Sequence, residues 1–167
     1  MVKSVPPFSK RTNSQDESQD KEKLSVILAF FAWASIIYMF ESATFSAAQD
    51  ILAGTDLQTT TLLVAFDGAT FLSYAIGPPL VIVLPYLFSI SLAVLSLVSG
   101  LLLVVLMVDV AWKIFGVVLL TFGYGYGCVV VLSLTSFFHP QKTASAFSAG
   151  SSVGFMISLL YYTGWFV

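Results

Sequence analysis

Six polar residues set inside apolar helices are the positions at which this sequence could do chemistry: Glu41, Ser42, Ser46, Gln49, Asp50 and Asp67. Glu41 follows seventeen residues, 24–40, that carry no charge. Beyond it Ser42, Ser46, Gln49 and Asp50 fall, at helical spacing, within an arc of roughly 100°. An apolar helix thereby acquires a polar stripe. Asp67 stands in the next apolar segment, in the first third of a run long enough to cross a bilayer. A carboxyl at that depth carries its proton, faces water, or meets a partner, because an isolated charge in hydrocarbon is expensive. Such groups suit proton coupling or the lining of a polar passage for a small-molecule substrate. The alternative use of each is a hydrogen bond that fixes one helix against another. For Asp50, close to a helix mouth, that alternative is a solvated end-cap or salt bridge.

The elements that must position these groups read as five transmembrane helices, over about 24–48, 60–84, 87–107, 112–138 and 143–167. Gly77-Pro78-Pro79 is expected to interrupt the second, Pro85-Tyr86 to turn the chain into the third, and His139-Pro140 to end the fourth. The composition agrees. Of 167 residues 57% are hydrophobic and 10% charged, with a mean hydropathy of +0.92, whereas a soluble domain is nearer one-quarter charged. The fold class is therefore an all-α membrane protein, and the lipid bilayer is its first partner. Residues 1–23 read as a disordered tail of mixed charge. Its Lys3, Lys10, Arg11, Lys21 and Lys23 are interleaved with Asp16, Glu17, Asp20 and Glu22, too balanced to make a nucleic-acid arm.

Basic residues also set the orientation. With the tail cytosolic and five crossings, six of the seven basic residues, Lys142 included, face the cytosol. Lys113 alone joins Asp50, Asp56 and Asp109 on the opposite side, where the C-terminus ends. Single copies of Cys128 and His139 exclude an intrachain disulfide and a cysteine or paired-histidine metal site. No phosphate loop or nucleophile–base pair is visible, so neither a cofactor nor an enzyme is expected. Small residues at four-residue spacing mark helix–helix contacts: Ser42 and Ser46 on the first helix, Gly123 and Gly127 on the fourth, Ala146, Gly150 and Gly154 on the fifth.

Two stretches carry a family resemblance. Ser46-Ala47-Ala48-Gln49-Asp50-Ile51-Leu52 resembles the SAA-x-DIL motif that closes the first helix of the battenin family of lysosomal membrane proteins. Leu132-Ser133-Leu134-Thr135-Ser136-Phe137-Phe138 is similar to that family's FLSLTAFY, and Ser148-Ala149-Gly150-Ser151 to its SSGT. Between them, Leu62 to Asp67 and Gly77-Pro78-Pro79 through Leu84-Pro85-Tyr86 follow the family's second helix and its AP…LPY. Where the family places a glutamate after Gly-x-Gly, this chain has Cys128; Ile37-Tyr38 stands in place of paired asparagines, and Leu87-Phe88-Ser89 lacks the family's arginine. The resemblance implies a major-facilitator-like fold of two six-helix halves, of which this chain supplies the first five helices. It also implies a lysosomal, endosomal or vacuolar membrane and links to glycerophosphodiester efflux, luminal pH and basic amino-acid transport. Five helices need a second half or another copy for alternating access. The rival expectation is a non-transporting adaptor or assembly protein that binds the helices of a partner.

Overall fold

The computed structural model describes residues 12–52, 58–138 and 140–165. They form six α-helices: α1 (Thr12–Ser46), α2 (Ala48–Ile51), α3 (Thr59–Val83), α4 (Tyr86–Leu106), α5 (Val110–Thr135) and α6 (Pro140–Trp165). Five of them contain a span long and apolar enough to cross a membrane, the span of α1 being Leu24–Ser46. The protein is an all-α, multi-pass membrane protein.

Helix α5 is the axis. Two-thirds of its span, 67%, is buried, against 17–28% for the other four. Helices α3 and α4 each pack along it but scarcely touch one another, while α1 touches it on a further face and pairs more extensively with α6. Three apolar clusters tie the arrangement together. Phe30, Ala34 and Ile37 of α1 meet Tyr124, Cys128 and Val131 of α5 and Phe147 of α6. Val81 of α3 and Ala93 of α4 close on Tyr126 and Val130. At the end where α3 begins, Ala48, Ile51 and Leu52 cover Leu62, Phe66 and Val117.

Lipid gives helices no hydrophobic reason to associate, so close backbone approach and interhelical hydrogen bonds must hold them. The α1–α6 seam shows both. A Cβ at Gly150 would run into the carbonyl of Phe31, and one at Gly154 into that of Ser35. Across the same seam the Ser35 hydroxyl donates to the Gly150 carbonyl at 3.0 Å and to its own helix at Phe31 at 2.9 Å. The α4–α5 seam is as close, at Gly100 opposite Gly116, a pair that sequence spacing does not reveal. Gly127, by contrast, has ordinary room, with its nearest neighbour 3.6 Å from a Cβ placed there.

Helix α1 begins at Thr12, within the polar tail and twelve residues ahead of the apolar span; residues 1–11 lie outside those described. Glu17 and Lys21 stand four apart and Asp20 and Lys23 three apart, spacings that support a helix, and extending a formed helix avoids the cost of nucleation. Helix α3 runs through Pro78 and Pro79 to Val83, close to the expected bounds. The prolines fall in its last two turns, where they free only the carbonyls of Tyr74 and Ala75 from helix donors. Pro85 and Pro140 behave as expected: Leu84 before the first is extended (φ −94°, ψ 142°), and the second opens α6.

Candidate functional site

Tyr38 and Glu41, three residues apart, share the face of α1 that looks between α5 and α6. On α5 the facing residues are Tyr124 and Cys128, four apart, and α3 adds Tyr74 from the side. All four side chains, from Tyr38, Glu41, Tyr74 and Cys128, come within hydrogen-bonding or electrostatic reach of Tyr124. The Tyr38 ring stands edge-on to Tyr124 with centroids 5.3 Å apart, and edge-on to Phe147 at 6.2 Å. Glu41 is half-buried and Tyr74 is 43% exposed, so the cluster opens on one side. Three helices thus converge on one carboxyl with phenols around it. Phenol hydroxyls donate to a carboxylate or accept from a carboxylic acid, so this set can hold either protonation state or a cationic group.

The serine stripe of α1 does something else. Ser42, two turns beyond Ser35 on the same face, is 3% exposed and belongs to the α6 seam. At the far end of that face the Tyr162 hydroxyl of α6 donates to Asp50 Oδ2 at 2.8 Å. Ser46, half-buried, lines a cavity of about 580 Å³ with Thr44, Leu63, Phe66, Leu159 and Tyr162. The Gln49 side chain lies outside those described. The stripe is therefore a polar edge along α6, with Ser46 at the cavity and Asp50 exposed beside Tyr162. Asp67 sits apart from both. It is exposed on the outer flank of α3, seven residues and about 10 Å of helix rise from Tyr74. Among the described residues it has no hydrogen-bond or ion-pair partner.

No protein-family model matches the chain, and no curated protein or solved structure matches it either. Its function must be read from the geometry. The six candidate residues do not form one site: Glu41 joins the tyrosine cluster, Ser42, Ser46 and Asp50 the α6 edge, and Asp67 the outer flank of α3, while the Gln49 side chain lies outside those described. The tyrosines were hidden by their context. Tyr124 and Tyr126 alternate with Gly123, Gly125 and Gly127, which reads as gap filling, and Tyr126 is just that, fully buried with its hydroxyl unpartnered. Tyr124 faces the opposite way, toward α1. The available signal was the pair of one-face spacings, Tyr38 with Glu41 and Tyr124 with Cys128. Cys128 is buried in the same cluster, where it packs beside Ala34 and Ile37.

Proposed function

We propose that this chain is one half of a battenin-like transporter, built on the plan of a major-facilitator bundle and working in a lysosomal or vacuolar membrane. The observation that carries the reading is the Glu41 carboxyl held among Tyr38, Tyr74 and Tyr124 from three helices, on a side that opens out of the bundle. In this reading Glu41 exchanges a proton or a cationic substrate group with the passage, and the phenols follow its charge by turning from donor to acceptor. The wall is completed by a second bundle, since rocking of two bundles about a site between them is what alternates access. The order of helix contacts, with α5 central, α1 beside α6, and α3 and α4 on α5, supports a half-bundle. The tail's basic residues and Lys142 support a cytosolic N-terminus and a luminal C-terminus.

The test is flux in reconstituted vesicles with an imposed pH gradient, using labelled basic amino acids and glycerophosphodiesters. The chain reconstituted with a second half, or as an oligomer, is expected to move one of these classes, and Glu41→Gln to abolish the dependence on the gradient. Gradient-independent flux, or none under any pairing, would overturn the proposal.

A second reading, a non-transporting adaptor, draws on a different observation: Asp67 is exposed on an apolar flank of α3. It requires a stoichiometric partner whose binding survives Glu41→Gln.

A further inference from the structure

We infer that the outer flank of α3 is a docking surface for a transmembrane helix that carries a basic side chain at the depth of Asp67. The inference rests on the half-bundle reading, and it specifies the chemistry of what completes the bundle.

Asp67 lies eight residues into the helix, about 12 Å along its axis, well past the first turn. Its surroundings on that flank are apolar and open: Val64 is 66% exposed and Phe71 76%. Gly68 is next to it, and a Cβ there would have no neighbour within 4 Å. Glycine beside the carboxylate leaves the backbone bare, so a second helix can come close enough for its side chain to meet Asp67. Left against acyl chains, an ionised carboxylate would cost several kcal/mol.

The described spans offer nothing to neutralise it. Their only basic residues are Lys113, the fourth residue of α5, and Lys142, the third of α6, both at helix ends. Within the bundle the other acid at depth is Glu41, which sits beside Tyr124. The wall is thus doubly acidic with no base in the membrane depth of the described spans, so the charge complementary to an ionised Asp67 comes from outside it. A hydroxyl-bearing helix would satisfy one hydrogen bond and leave the charge, so a lysine or arginine is the matching group.

The test uses the full chain with Gly68→Cys in lipid vesicles, together with a synthetic leucine–alanine transmembrane helix. The helix bears one lysine placed about 12 Å from its interface and a neighbouring cysteine for disulfide capture. The lysine helix is expected to be captured about tenfold better than the same helix with leucine. Asp67→Asn should remove that preference, and Asp67→Lys should transfer it to a helix bearing aspartate. Equal capture of the lysine and leucine helices overturns the inference. So does self-capture of the Gly68→Cys chain that is lost in Lys113→Ala, which would identify a second copy as the occupant. Capture is read without substrate or pH gradient, so its failure is separable from a failure of flux.

Discussion

Replacing Gly150 with alanine tests whether the α1–α6 seam is held by backbone proximity. The added methyl would collide with the Phe31 carbonyl and lie 3.0 Å from the Ala34 Cβ. None of these atoms is the tip of a flexible chain, so the helices must separate. Overpacking of this kind costs about 1–3 kcal/mol. Separation also stretches the Ser35–Gly150 hydrogen bond, worth about 0.6 kcal/mol between membrane helices. Against that, alanine is the better helix former by about 0.8–1 kcal/mol. The net expectation is a loss of about 2 kcal/mol. Gly164→Ala is the control, because nothing lies within 4 Å of a Cβ at that position in the same helix. It should leave stability unchanged or slightly raised. The assay is unfolding in mixed micelles of dodecyl maltoside with increasing dodecyl sulfate, followed by far-ultraviolet ellipticity. Coincident transitions for the two variants would refute the argument, since a seam that tolerates a methyl at Gly150 is not in backbone contact.

Gly125→Ala directs its methyl onto the Ser73 hydroxyl of α3. It should destabilise by about 1–3 kcal/mol, and Ser73→Ala in the same chain should restore much of the loss, read as a coupling energy in a double-mutant cycle. The Tyr126 hydroxyl is buried without a partner, so Tyr126→Phe should leave stability level or raise it by about 1 kcal/mol in the same micelle titration. Tyr162→Phe and Asp50→Ala each break the bond joining α6 to α2, and either should speed amide hydrogen exchange over residues 47–52 without altering the rest of α1. Tyr124→Phe removes a hydroxyl from the Glu41 cluster and should shift the pH dependence of flux while leaving helix content intact, measured on the same vesicles with ellipticity as control.

The parts of this molecule that follow from one helix at a time were legible in its sequence. Five apolar runs of bilayer length, the Pro85 turn and the Pro140 start each depend on residues close together in the chain. The Ala146–Gly150–Gly154 spacing likewise names the face of α6 that meets α1. What the sequence leaves open is which face meets which neighbour. The stripe Ser42, Ser46, Gln49 and Asp50 is drawn from helical periodicity, which alone does not distinguish a side turned to a passage from a side turned to α6. The answer comes from Ser35 bonding to Gly150 and Tyr162 to Asp50, contacts between residues more than a hundred apart. Glu41 falls off the stripe for the same reason that it matters. It lies on the neighbouring face, with Tyr38, where α5 brings Tyr124 and α3 brings Tyr74. A polar group at membrane depth states that a partner is needed, and only the register of packed helices states which one. For Glu41 and Asp50 that register supplies the partner within the bundle. For Asp67 it supplies none among the described residues, and this is why the α3 flank, rather than the serine stripe, points outward to another helix.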